Sequence, residues 1–236
     1  MVDIIEIEKI AREKFNNAKD NIRKVKGLYE FANKAISDGI PGYKADLLKF
    51  ESFDSDNYSV LFIDIRQSTN RAKTIGPEKT YMSMHAFMPA MLEVIKYYRG
   101  YVIDLMGDGV MVFFGGKKSG ISKIQATQNA GLCGIDMLNV LKLVVNKILN
   151  EEKIWQITCG IGIDYGNVIV TKIGIDGIFD VKAYGDCINT ASKYCDEAVS
   201  QVLVSDKIEE MWPIGKHGKM TFKKHKSGAN ILIEDK

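Results

Sequence analysis

Apolar and polar residues change rhythm along this chain. Near the start, Ala11, Phe15, Ala18, Ile22, Val25, Tyr29, Ala32 and Ile36 fall at alternating spacings of four and three. That is the seam of an amphipathic helix. Gly27 interrupts it, and Gly39-Ile40-Pro41-Gly42 ends it. The pattern marks off an N-terminal helical segment, residues 1–50, from a second unit over 51–236. Alanine at several seam positions suits packing on the domain behind better than a dimerising coiled coil.

From Tyr58 the rhythm shortens. "YSVLFIDI" is a β-rich apolar run and predicts a buried strand. A helical stretch follows over about 77–98, with Pro77 in its first turn. "YVIDLMG" and "VMVFFG" predict two strands joined at Gly107-Asp108-Gly109. A helix is expected over about 121–150. "WQITCGIGIDYGNVIVTKIG" predicts two strands broken at Asp164-Tyr165-Gly166. A strand near 178–184 precedes a short helix at "CINTASKYCDEA", and "VLVS", "MTFKKH" and "NILIE" close the chain as short strands. The order β, α, β-hairpin, α, β is the ferredoxin-like α+β signature with additions. Such a sheet sets the end of its first strand beside the turn of its central hairpin. Asp64 ends that strand and Asp108 sits in that turn.

Composition narrows the chemistry. The chain has 236 residues, a formal net charge of +2 and 46% hydrophobic residues. No strong field points to nucleic acid or an anionic membrane. Cys133, Cys159, Cys187 and Cys195 lack metal-ligand spacing, so reduced, buried thiols are expected. "MVDIIEIEKIAREKF" has acids where a signal peptide needs a basic head. The longest apolar stretch is broken by Asp136, Asn139 and Lys142, so no membrane insertion is expected. A cytoplasmic protein fits these features.

Two neighbouring carboxylates repel unless they share a cation. Hard oxygen ligands suit Mg²⁺ or Mn²⁺, which bind through one or two carboxylates plus substrate phosphates. Directly after Asp64 comes "IRQSTNRA", where Ser68 and Thr69 could open a helix with free N–H groups facing an anion. Metal carboxylates beside a phosphate cradle form the template for phosphoryl transfer. Taken alone, Asp108 would be a plain turn residue and Ser68 a plain N-cap.

"FIDIRQST", "GYVIDLMGDGVMVFFG", "GIGIDYGNVIV" and "YGDCINTASK" together resemble the successive motifs of the class III nucleotide cyclases, over about 58–233. The resemblance implies a head-to-tail homodimer with two sites at its interface. It implies that Asp64, Asp108 and the backbone carbonyl of Ile65 hold two divalent cations, and that Asn189 orients the ribose. Where the family usually carries a transition-state arginine, this chain has Lys193, which keeps the charge but loses the bidentate fork. Lys216 or Lys219 resembles the family's γ-phosphate lysine. The reaction implied is attack of the ribose 3′-oxygen on the α-phosphorus, with release of pyrophosphate.

The positions matching the family's base-reading pair hold Asp104 and Lys182, the adenylate pair reversed. Ionised Asp only accepts and Lys only donates. Asp104 therefore wants a ring N–H, and Lys182 an exocyclic oxygen. Uracil and guanine offer both, whereas adenine and cytosine offer neither. The length of Lys182 suits the smaller uracil, so UTP is expected before GTP. Such a pocket can reject a mismatched base by up to about 10⁴-fold. A one-residue slip over 167–184 would put Asp180 in the pocket instead. Compact bacterial cyclases with altered base positions resemble the pyrimidine cyclases of the Pycsar antiphage system, whose cyclic UMP or cyclic CMP activates a separate effector. A cyclase-like regulatory module that binds nucleotide without turnover is the rival that Lys193 keeps open. His85, His217 and His225 lack ligand spacing, and Cys187 reads as a packed thiol. Arg66 and Arg71 flank the phosphate loop, either as phosphate contacts or as solvated charges.

Overall fold

The computed structural model describes residues 2–23, 49–50, 53–175, 178–212 and 220–234. Helix α1 (Ile4–Arg23) comes first, then strand β1 (Phe53–Ile65) and helix α2 (Ser68–Tyr97). The hairpin β2 (Tyr101–Met106) and β3 (Gly109–Gly115) leads to helix α3 (Lys123–Val140), a π-helical turn (Leu141–Val145) and α4 (Asn146–Glu151). Strands β4 (Cys159–Ile175) and β5 (Ile178–Tyr184) precede helix α5 (Asp186–Glu197). The chain closes with β6 (Val202–Val204), α6 (Asp206–Glu210), β7 (Met220–Lys224) and β8 (Asn230–Glu234).

The sheet runs β2-β3-β1-β4-β6-β8-β7, with β5 paired to the far end of β4. Within it, β3 lies antiparallel between β1 and β2, and β1 lies antiparallel to β4. This is the ferredoxin-like α+β core expected from the element order.

Alternation along β1 divides its side chains between two cores. Leu61, Ile63 and Ile65 enter a large core with Phe87 and Met91 of α2, Met137 of α3 and Phe15 of α1. Tyr58, Val60 and Phe62 face the other way, with Phe113, Val168, Val170 and the α5 residues Cys187, Ala191 and Cys195.

Helix α1 is capped by the Asp3 carboxylate, which accepts from the backbone N–H groups of Ile5 and Glu6 at 3.0 and 3.1 Å. Its seam residues Ala11, Phe15 and Ala18 are buried. Arg12 reaches Glu151 at 2.6 Å and Lys147 reaches Glu8 at 2.8 Å, tying α1 to α4. Packing on the domain behind is what this part of the seam does. Val25 to Ile36, with Gly27 and the Gly39–Gly42 stop, lie outside the described residues.

Two expected boundaries move. The expected break at Asp164-Tyr165-Gly166 does not occur, and β4 is one strand paired with β1 throughout. Asp164 is buried and accepts a hydrogen bond from Ser205 Oγ. Gly166, which read as a turn signal, instead meets Cys187 of α5 with its Cβ position 3.0 Å away, and two further glycines let α5 lie against the strand. A Cβ on Gly160 would come within 2.3 Å of the Ala198 carbonyl oxygen, and one on Gly162 within 2.0 Å of the Ala191 carbonyl oxygen. Helix α2 starts at Ser68 rather than near 77. It is two runs joined at Gly76, whose φ of 81° and ψ of 169° break the ladder before Pro77 restarts it.

Candidate functional site

At one end of the sheet, β1 runs past its last rung with β3, Ile63 opposite Val110, and delivers Asp64. Gly107 takes φ 66° to turn the hairpin. A Cβ on Gly109 would sit 3.1 Å from Asp64 Oδ1, so glycine there admits the turn against the strand end. Asp108 Oδ2 is buried and has no hydrogen-bond partner among the described residues. Burial first, and then the Asp108 charge, hold the Asp64 carboxyl above its usual range. Ile65 buries its side chain in the core and pairs with Cys159 of β4. Among the described residues no cluster of three or more His, Cys, Asp or Glu side chains forms. The side-chain oxygen donors brought together here are the two carboxylates of Asp64 and Asp108.

Arg66 lies over the same spot. One guanidinium nitrogen donates to Asp64 Oδ2 at 2.7 Å and another to the Asp196 carbonyl at 3.1 Å. Arg71 is buried, donating to the Trp155 carbonyl at 2.6 Å and to Ser83 Oγ at 2.9 Å. Neither arginine is the solvated charge weighed from sequence. One holds a carboxylate and the other clamps the chain before β4.

The first turn of α2 follows. Gln67 precedes it in the left-handed region, φ 54°, and supplies no side-chain cap. Ser68 is therefore the first helical residue and Thr69 the second, so the two open the helix as expected, and Ser68 is not the plain N-cap it would be taken for alone. The leading N–H groups of the helix have no side-chain cap, the arrangement in which an anion substitutes for one.

Helix α5 is placed by the glycines of β4. Cys187, Ala191 and Cys195 recur every fourth residue and face inward. Asn189 and Lys193, also four apart, are exposed on the outer surface. Among the described residues neither side chain has a hydrogen-bond or ion-pair partner. Burial pushes the Cys187 thiol up to about 11, so it is a packed thiol rather than a nucleophile. Lys216, His217 and Lys219 lie outside the described residues.

The two positions expected to read the base are built differently. The pairing of β2 with β3 shifts register between Val102 and Asp104. This bulge puts Asp104 opposite Met111, on the α5 side of the sheet. Lys182 pairs with Thr171 on the outer part of β4. Its ammonium pKa is raised, chiefly by a hydrogen bond to Asp180 and in smaller part by the charge of Asp104. Asp104 and Lys182 thus lie within electrostatic range on one chain. The sequence offered Asp180 only as a substitute for Lys182, whereas the two are bonded to each other, Lys182 Nζ lying 2.7 Å from Asp180 Oδ2.

The family model described as the adenylate and guanylate cyclase catalytic domain matches residues 50–231. The chain belongs to this family. Among curated relatives, a uridylate cyclase of Gulbenkiania mobilis is 31% identical over 172 residues, 70% of this chain and 65% of that protein. A cytidylate cyclase of Staphylococcus aureus is 26% identical over 200 residues, 83% of this chain and 47% of that protein. The matched stretch therefore accounts for only part of each relative. Solved structures of similar fold include the adenylyl cyclase CyaB from P. aeruginosa, with a TM-score of 0.67 at 22% identity over 77% of this chain and 94% of that one. The guanylyl cyclase Cya2 superposes with a TM-score of 0.63 at 23% identity over 76% and 91%. Among the described residues no helix of this cyclase-family chain is long and apolar enough to cross a membrane.

Proposed function

We propose that this chain is a nucleotide cyclase that converts UTP to 3′,5′-cyclic UMP and pyrophosphate at a homodimer interface. The observation that carries the reading is the buried, unpartnered Asp108 Oδ2 beside Asp64, whose carboxyl is raised by burial and by that neighbour. A buried carboxylate oxygen without a donor is expensive unless a cation meets it. The donor set is hard oxygen, which fits Mg²⁺ or Mn²⁺. Asp64, Asp108 and the Ile65 carbonyl would hold two such ions. When bound, they would lower the pKa of the ribose 3′-hydroxyl and neutralise the triphosphate.

The rest is positioning by this chain. The uncapped first turn of α2, with Ser68 and Thr69, receives phosphate oxygens. Asn189 of the second copy orients the ribose, and its Lys193 faces the charge that develops as pyrophosphate leaves; Lys219 is assigned to the triphosphate. Asp104 accepts from uracil N3–H and Lys182 donates to O4. GTP satisfies the same two groups and ranks next. The uridylate and cytidylate cyclases among the relatives favour a pyrimidine. Cytosine presents the wrong hydrogen-bonding group at both positions. In this reading the product is a second messenger of antiphage defence, sensed by a separate cyclic-nucleotide effector, and the enzyme works in the cytoplasm without nucleic acid.

The test is incubation with each of the four NTPs and Mn²⁺, with cyclic products identified by mass. Cyclic UMP as the main product is expected. Cyclic AMP as the main product contradicts the base assignment. Nucleotide binding without any cyclic product would instead favour the regulatory module.

A further inference from the structure

We infer that Asp180 is a specificity-determining positioning residue, which holds the Lys182 ammonium at the base edge and thereby presents a donor there. This deepens the reading above and rests on the base-reading role given to Asp104 and Lys182.

Asp180 and Lys182 are two apart on β5 and project to the same face. Both oxygens of the Asp180 carboxylate are used. Oδ1 accepts from the backbone N–H of Val181 at 2.8 Å, which fixes the carboxylate against its own strand. Oδ2 meets Lys182 Nζ at 2.7 Å. The anchor is therefore backbone-locked, and the lysine at the end of its flexible stem is the part it restrains.

The pair is not there for the fold. The side chains are 49% and 45% exposed, the setting in which an ion pair adds little to stability. Its effect falls instead on where the ammonium sits. A free lysine at an exposed position samples many rotamers and must be ordered when the nucleotide binds. An anchored one has paid that ordering beforehand. An ammonium has three donors. One is spent on Asp180, and the others remain for the exocyclic oxygen and the Asp104 side of the pocket.

Asp180 also carries a hazard that Lys182 covers. An uncovered carboxylate near the exocyclic position would accept from the amino group of cytosine or adenine. With Lys182 bonded to it, the pocket shows a donor rather than an acceptor. Discrimination between oxo and amino bases is therefore a property of the pair, not of the lysine alone.

The test compares Asp180→Asn, Asp180→Glu, Lys182→Ala and the double variant Asp180→Asn/Lys182→Ala, each with all four NTPs. For the preferred NTP, Asp180→Asn should raise KM about five- to tenfold with kcat within about twofold, as expected when binding is weakened equally in the ground and transition states. Its preference for oxo over amino bases should fall by about the same factor. Asp180→Glu, which keeps the carboxylate, should lie between it and the parent protein. The double variant should resemble Lys182→Ala, because the anchor has nothing left to hold. Thermal midpoints should stay within about 2 °C. Asp180 variants with parent-like KM and selectivity, while Lys182→Ala changes both, would overturn the inference and leave the base-reading pair standing. If Lys182→Ala is also silent, the inference and the base-reading role fall together.

Discussion

The Asp64–Asp108 end of the sheet and the outer face of α5 are made of opposite materials. At the first, a strand end and a hairpin turn bring two carboxylates together, with Gly109 where a Cβ would lie 3.1 Å from Asp64 Oδ1. One carboxylate oxygen is buried with no partner among the described residues. At the second, Asn189 and Lys193 stand exposed and unengaged on a helix whose inner face is tightly seated. One region holds charge that asks for a ligand; the other offers groups with no polar partner among the described residues. Neither is a complete site. Two copies placed head to tail would complete each with the other, which is the composite arrangement proposed above.

The largest expected effect on stability comes from unseating the second region. In Gly162→Ala the added Cβ meets backbone of α5 at 2.0 Å, and backbone cannot rotate away. The substitution should cost about 3 kcal/mol, lowering Tm by roughly 6 °C or more. Turnover should fall by at least about 100-fold, because a displacement near 1 Å of positioning groups has that effect. Differential scanning calorimetry and product assay check both. A variant as stable and active as the parent would mean that the glycine contact does not place α5.

A smaller effect sharpens the first region. Asp64 has its folded pKa raised above the ordinary 3.8, with burial and Asp108 as the main causes. The protonated form is therefore favoured by folding. That contribution is fully present below about pH 3.8 and is lost as pH rises through the folded value. At pH 7 the ionised side chain is a net load on the fold. Because it is partly exposed, screening keeps the load small. Asp64→Asn should raise Tm by about 1–3 °C at pH 7 in metal-free buffer, with the gain vanishing near pH 4, while turnover is abolished. A fall in Tm at pH 7 would mean that the Arg66 contact outweighs burial and the Asp108 charge.

Legibility in the sequence follows the same divide. The Asp64–Asp108 juxtaposition was readable because it needs only strand order and the Gly-Asp-Gly turn, both local signals. The inward face of α5 and its outward Asn189 and Lys193 follow from helical spacing. What misled was Gly166 in "GIGIDYG", where glycine means close approach of a helix rather than a turn. Only the partner element distinguishes those two meanings. Gln67 gave no sign that it would adopt a left-handed conformation and leave Ser68 inside the helix. Arg71, read from sequence as flanking the phosphate loop, is buried because the Trp155 carbonyl and Ser83 satisfy it, and these lie 84 and 12 residues away along the chain. The Asp180–Lys182 bond depends on the two rotamers, which no periodicity encodes. The sequence therefore names the groups of each proposed half-site, whereas the contacts around them arise only in the folded chain.

The composite site is tested most directly by mixing. An Asp64→Ala chain and an Asn189→Ala chain, each inactive alone, are combined in equal amounts, refolded or exchanged together, and assayed for cyclic UMP. Random pairing gives half heterodimers, each with one intact site, so about a quarter of the parent activity should return. A mixture no more active than its separate components would contradict a site shared between two copies.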